Sequence, residues 1–285
     1  MNKQGLQRML AVVLSALAAG TAFAGIARAD STTNPGVVTV TDQQSGFTSP
    51  GNLYGPWSVQ TLEYQWQADK SDVPSVTFLN RTDDDRPFES SSRAVYGDDY
   101  HTWSSDFYTY GQVSFANGDI EPYNLAYLEG DLKLERRQNL VLGAGAGVTR
   151  NPGDTSTRWV SAGPSFYTGP MVFEVRFLPA NTNGISTSAA EGVVQYNRLG
   201  QDQITATVLS GSQPSVLVNF PPSYATFQRL TEYDLVWRHW ITPRFGFVAG
   251  GTIGTHEDRT TGAALYDQHA VTFGVFYGRA VGQPR

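Results

Sequence analysis

The sequence predicts a single transmembrane antiparallel up-and-down β-barrel of about 14 strands, all-β and following a cleaved signal peptide. Three observations carry this. Segment after segment alternates apolar and polar residues with a period of two, as in Leu125–Glu135, where Ala126, Leu128, Gly130, Leu132 and Leu134 interleave with Tyr127, Glu129, Asp131, Lys133 and Glu135. The connections between these segments alternate between short and long, as expected of a barrel with tight periplasmic turns and elaborate external loops. The chain has no cysteine, so an exported protein of this kind is held by extended sheet rather than by disulfides.

Residues 1–29 read as the signal peptide. Lys3 and Arg8 give a basic start, LAVVLSALAAG gives an apolar core, and Ala22-Phe23-Ala24 and Ala27-Arg28-Ala29 offer two cleavage sites. Residues 30–285 form the barrel domain. Taking Lys3, Arg8 and Arg28 from the 20 basic residues leaves 17 against 26 acidic, a net charge of −9. Such a chain has no electrostatic basis for binding nucleic acid. The absence of cysteine also excludes thiolate metal sites and cysteine nucleophiles.

Strands are expected near 37–47, 57–69, 73–82, 92–102, 106–115, 123–135, 139–150, 157–168, 171–179, 187–198, 202–210, 229–240, 244–255 and 267–278. Short connections fall at 70–72, 103–105, 136–138, 169–170, 199–201 and 241–243. Long ones fall at 48–56, 83–91, 116–122, 151–156, 180–186, 211–228 and 256–266. An even strand number returns both termini to the periplasmic side.

The two faces of each strand differ in chemistry. Leu62, Tyr64 and Trp66 oppose Glu63, Gln65 and Gln67. Met171, Phe173, Val175 and Phe177 oppose Glu174 and Arg176. Tyr233, Leu235 and Trp237 oppose Glu232, Asp234 and Arg238, and Leu140, Leu142, Ala144, Ala146 and Val148 oppose Gly143, Gly145 and Gly147. Fourteen strands enclose more space than side chains can fill, since about eight already suffice. The apolar faces are therefore expected to meet lipid, and the charged faces a hydrated interior where they keep their solvation. A soluble sandwich with one wet face has no reason for the alternating connections. The predicted inner lining is Glu63, Tyr127, Glu129, Asp131, Lys133, Glu174, Arg176, Glu232, Asp234 and Arg238.

Among the four histidines, His101, His239, His256 and His269, no two have the spacing of a metal-ligand pair. In YGDDYHTWSS, His101 lies near Asp98, Asp99, Ser104 and Ser105. Asp99 and His101 share a strand face, the serines fall in a turn, and the simpler reading is a polar strand end at the periplasmic interface. His239, between Trp237 and Trp240, reads as part of an interfacial girdle. His256-Glu257-Asp258 reads as a solvated loop tip. Asp83–Asp85 offers oxygen ligands to a divalent cation but lacks an EF-hand pattern, which favours a solvated acidic loop. The carboxylates Glu129, Asp131, Glu135, Glu232 and Asp234 include conceivable glycosidase pairs, but Lys133, Arg176 and Arg238 share their face and compensate them. Tyr108, Tyr110 and Gln112 share a face; girdle tyrosines are the first reading, and luminal rings that stack on sugars the second.

The segments RAVYGDDYHTWSSDFYTYGQVSF (93–115), GAGAGVTR (143–150), FEVRFLPANTNGISTSAAEGVVQYNRLG (173–200), LVWRHWITPRFGFVAGGTIG (235–254) and VTFGVFYGR (271–279) resemble the YaiO-type outer-membrane β-barrel family. The resemblance implies an outer-membrane barrel without established catalytic activity, without a cofactor, and loosely linked to cell-surface polysaccharide. It supplies no functional residues. Barrels of this kind usually end on an aromatic residue, whereas Phe276 and Tyr277 are followed here by GRAVGQPR. The expected function is a passive channel or export conduit with a polar, net acidic lumen. An outer-membrane enzyme acting on lipid or glycan, or a plugged structural barrel, is the alternative. Expected partners are outer-membrane lipid and lipopolysaccharide, the barrel-assembly machinery, and polysaccharide or small solutes.

Overall fold

The computed structural model describes residues 36–49, 55–85, 88–134, 139–151, 155–198, 200–214 and 227–279. The expected signal peptide and most of the 211–228 connection lie outside the described residues. Fourteen strands follow in order: β1 (Gly36–Thr48), β2 (Trp57–Trp66), β3 (Asp72–Asp85), β4 (Phe88–Thr102), β5 (Phe107–Gly118), β6 (Asn124–Lys133), β7 (Leu140–Asn151), β8 (Thr155–Thr168), β9 (Met171–Thr182), β10 (Ile185–Arg198), β11 (Asp202–Pro214), β12 (Phe227–Thr242), β13 (Phe245–Asp258) and β14 (Ala264–Gly278). Each pairs antiparallel with its neighbour in sequence, and β1 closes the barrel against β14 from Val37 opposite Gly278 to Thr48 opposite Asp267. Closure leaves no sheet edge exposed to lipid. Arg279 N–H donates to Gly36 O at 3.0 Å, which places the first and last described residues at the same end.

The side-chain alternation has a definite sense. Phe115 and Leu128 expose 65% and 64% of their surface on the isolated barrel, while the residues between them in register turn to the other face. Val40, Leu62, Phe78, Val95 and Phe115 are directly paired from strand to strand and make one continuous apolar row on the outer surface of β1–β5. The adjacent row, Asp42, Gln60, Asn80, Arg93 and Asn117, is polar. The apolar belt on this side ends between the two rows. Inside, at the end that holds Gly36 and Arg279, Val37, Trp240, Val248 and Phe276 form a small buried apolar cluster.

The connections differ from the sequence expectation. The loops expected at 83–91 and 180–186 are largely strand, and β7 and β8 reach Asn151 and Thr155 at either side of the connection expected at 151–156. β3 runs to Asp85 and β4 starts at Phe88, and β9 and β10 meet across Asn183 and Gly184. Asn183 (φ 49°) and Gly184 (φ 89°) supply the left-handed backbone that a two-residue hairpin turn requires. These polar hairpin ends look like loop in sequence because water solvates both of their faces. β14 stops at Gly278, with Phe276 turned inward and Tyr277 outward.

A polar inner wall with cross-barrel ion pairs as the candidate functional site

Contacts between strands that are not neighbours fix which face looks inward, because only the inner face allows them. Arg238 on β12 reaches Glu63 on β2 at 3.2 Å, although β13, β14 and β1 separate these strands in the sheet. Arg176 on β9 donates to Glu129 on β6 at 2.7 Å and lies 3.5 Å from Asp131, passing over β7 and β8. Its Nε is 3.5 Å from Glu174, and its Nη1 donates to Gly163 O at 2.8 Å. Glu191 on β10 stands directly opposite Arg176 in register. One guanidinium thus faces three carboxylates, with a fourth beside it.

The glycines of β7 explain how these groups fit. Gly143, Gly145 and Gly147 put no Cβ on the inner face. A Cβ on Gly143 would overlap the Arg176 guanidinium and Asp131 Oδ1, one on Gly145 the Tyr127 hydroxyl, and one on Gly147 the Trp159 indole. The alternating GAGAG therefore carries a trough along the inner wall in which long side chains lie flat. Tyr127 donates to Glu129, and Ser161 Oγ donates to the same carboxylate at 3.0 Å.

The remaining residues expected in the lining are distributed around the same face. Lys133 Nζ sits 5.8 Å from the Tyr108 ring centre. Glu174 accepts from Ser165 Oγ at 2.8 Å, and Asp234 accepts from Thr252 Oγ1 at 2.7 Å. Glu232 lies two residues from Asp234 on the same strand face, opposite Gly254. These groups do not converge on one point. Glu129, Asp131, Glu174 and Arg176 form one cluster, Glu63 and Arg238 a second, and Glu232 and Asp234 stand on a third part of the wall.

A further inner cluster, not anticipated as a unit, lies towards the opposite end of the barrel. Arg81 donates to both oxygens of Asp83 at 2.8 and 3.0 Å, lies 3.8 Å from Glu121, and stacks 4.3 Å from the Trp57 ring centre. Tyr96 donates to Glu121 at 2.8 Å. Asp83 is thus a partner of Arg81 within a strand rather than part of a solvated acidic loop; the side chains of Asp84 and Asp85 lie outside the description.

Tyr110 and Gln112 also face inward, which corrects the girdle reading. Tyr110 donates to Asp98 at 2.9 Å, Gln112 donates to the same carboxylate at 3.4 Å, and Ser75 donates to it at 2.6 Å. The Tyr108 and Tyr167 hydroxyls meet at 3.4 Å across β6 and β7. His256 is likewise inside, not at a loop tip, because β13 continues to Asp258. It is buried, stacks on Tyr266 at 4.1 Å, and pairs through Nδ1 with Gln228 Oε1 at 3.1 Å.

The His101 segment lies on the outer face, towards the barrel end that holds Gly36 and Arg279. His101 Nδ1 bonds to Asp72, and the ring packs 4.2 Å from Trp103. Ser104 Oγ accepts the Asp106 and Phe107 N–H groups at 3.2 and 3.1 Å, and Ser105 Oγ donates to Asp106 at 3.1 Å, so both hydroxyls serve the turn. Asp72, Asp99 and His101 bring ligand atoms within 4.8 Å of one another, the one set among the described residues with the spacing of a cation site. Asp72 carries no sequence signal for this; its register opposite His101 creates it. His239 also faces outward and bonds Asp202 at 2.9 Å, beside Trp237, while Trp240 turns inward.

Compared with known proteins, residues 39–216 match the model of the YaiO membrane beta barrel domain. No curated protein matches the chain by sequence. Among solved structures, the barrel is similar to the CymD monoaromatic hydrocarbon channel, with a TM-score of 0.56 at 8% identity over 87% of this chain and 90% of that one. It is also similar to the translocator domain of autotransporter NalP from Neisseria meningitidis, with a TM-score of 0.48 at 12% identity over 96% and 95%. At such identities the likeness shows the fold alone.

Proposed function

The chain belongs to the YaiO membrane β-barrel family of the bacterial outer membrane, and from that premise we propose that it is a passive channel whose lumen is net acidic and favours cations and neutral solutes over anions. The observation that carries this is Arg176 set against Glu129, Asp131 and Glu174, with Glu191 facing it. A single guanidinium cannot neutralise four carboxylates, and their excess charge faces a lumen where it attracts counter-ions. A weakly charged or neutral glycan passing to the cell surface is the larger solute this wall suits. On this reading the outer belt is solvated by outer-membrane lipid and lipopolysaccharide after delivery by the barrel-assembly machinery.

Catalysis is not part of the proposal. His101 is turned away from the lumen, and the nearby serine hydroxyls are engaged in a turn. The test is a reversal potential across a planar bilayer under a salt gradient. Glu129→Lys with Asp131→Lys shifts the preference towards anions. An unchanged reversal potential in a folded, conducting variant overturns the assignment of these residues to the conduction path.

A further inference from the structure

We propose that the inner wall of β4–β8 is a binding track for a neutral oligosaccharide. Tyr100 and Tyr110 lie with ring centres 4.7 Å apart, Tyr110 and Tyr127 6.1 Å apart, and Tyr127 and Trp159 5.9 Å apart with their planes nearly parallel at 9°. The Tyr108 and Tyr167 hydroxyls meet at the lower end of this series. Tyr100 stands opposite Tyr110 in register, and Tyr127 is in line with Trp159 through Gly147, so the four rings run across β4–β8 as one series, each about one sugar ring from the next.

Two features suit the series to a sugar. Gly147 lets the Trp159 indole lie flat against the wall, so that an aromatic face, not an edge, looks into the lumen. Tyr100, with 48% of its surface exposed, presents its ring to the same space. The second feature is the polar flank of the rings. Asp98 accepts from Tyr110 and Gln112, and Glu129 accepts from Tyr127 and Ser161. A pyranose offers a C–H face for the ring and hydroxyl donors at its rim for such carboxylates. An aromatic hydrocarbon would stack but make no use of this polar flank, and a polyuronate would be repelled by its carboxylates.

This inference rests on the channel reading for passage of the sugar, but not for its binding. The first experiment adds maltohexaose to the full-length refolded protein in a planar bilayer. The expected result is reversible current blockade. Residence falls roughly three- to tenfold in Trp159→Ala and in Tyr127→Ala and returns in Trp159→Phe, the size of effect an aromatic contact supplies. Tyr100→Leu, at an exposed ring, gives the same direction without disturbing the glycine trough. A conducting channel that maltohexaose never blocks, equal residence in all variants, or stronger blockade by hexagalacturonate overturns the track. The second experiment titrates maltohexaose against tryptophan fluorescence of the folded protein in detergent, with Trp159→Phe as the control. A change that this variant loses, in a barrel that carries no current, upholds the track and overturns the channel. No change in a barrel that does conduct overturns the track and leaves the channel standing.

Discussion

Replacing Arg176 by glutamine removes the cation that holds the inner-wall cluster together, and the structure sets the size of the effect. The side chains of Arg176, Glu129 and Asp131 are only 7%, 11% and 4% exposed, so water compensates poorly for the lost charge. Glu129 loses a bond of 2.7 Å, Gly163 O loses a donor at 2.8 Å, and Asp131 and Glu174 lose a charge at 3.5 Å each. Removing one partner of a buried pair costs about 3–5 kcal/mol, because the other partner is left charged and unpaired. Glutamine still donates one hydrogen bond and the lumen lies close by, which puts Arg176→Gln at the lower end, about 3 kcal/mol. The assay is urea unfolding of the barrel in lipid vesicles followed by tryptophan fluorescence. Adding Asp131→Asn relieves part of the carboxylate repulsion and recovers about 1 kcal/mol. A loss below about 0.5 kcal/mol, or no recovery in the double variant, refutes the claim that Arg176 neutralises this cluster.

The Glu63–Arg238 pair differs, being 26–29% exposed in its side chains; a double-mutant cycle yields at most about 1 kcal/mol, while Arg238→Ala raises single-channel conductance by removing a side chain that bridges over β13, β14 and β1 on the inner wall. Gly147→Ala forces the Trp159 ring off the wall and costs about 1–3 kcal/mol, with a red shift in tryptophan emission as its signature; an unchanged spectrum contradicts the flat placement. Asp258 accepts the Thr261 and Thr260 N–H groups and the Thr261 hydroxyl at 2.7–2.9 Å, and the Thr261 N–H bond is the first cause that holds its carboxyl below the usual carboxylate value. A lowered folded-state value means the turn is stabilised above the unfolded carboxylate's pKa and loses that support as pH falls through the folded one. Thr261 amide protection, compared with Asp258→Asn, therefore falls on acidification only in the parent.

The strand count and the sense of the wall were legible because period-two alternation is a local signal. FEVRF and LEGDLK each show it within a few residues. The hairpin ends were not legible, since a strand solvated on both faces has the composition of a loop, as at 180–186. The same loss of alternation hid His256 inside β13. The ion pairs follow from closure. Glu63 and Arg238 are 175 residues apart, and only the register around the barrel brings them together. Tyr110 and Gln112 could be assigned to a face together but not to the inside, because tyrosine suits both an interfacial girdle and a wet wall. The inner glycines of GAGAGVTR did carry a usable signal, since glycine repeated on one strand face marks close approach by other side chains.

The account rests on an open lumen with an acidic wall, and single-channel recording of the refolded protein in a planar bilayer under a salt gradient tests it most directly. Discrete, stable conductance steps with a cation-preferring reversal potential are the predicted result. Silence from a protein verified as folded, or steps that prefer anions, would contradict it.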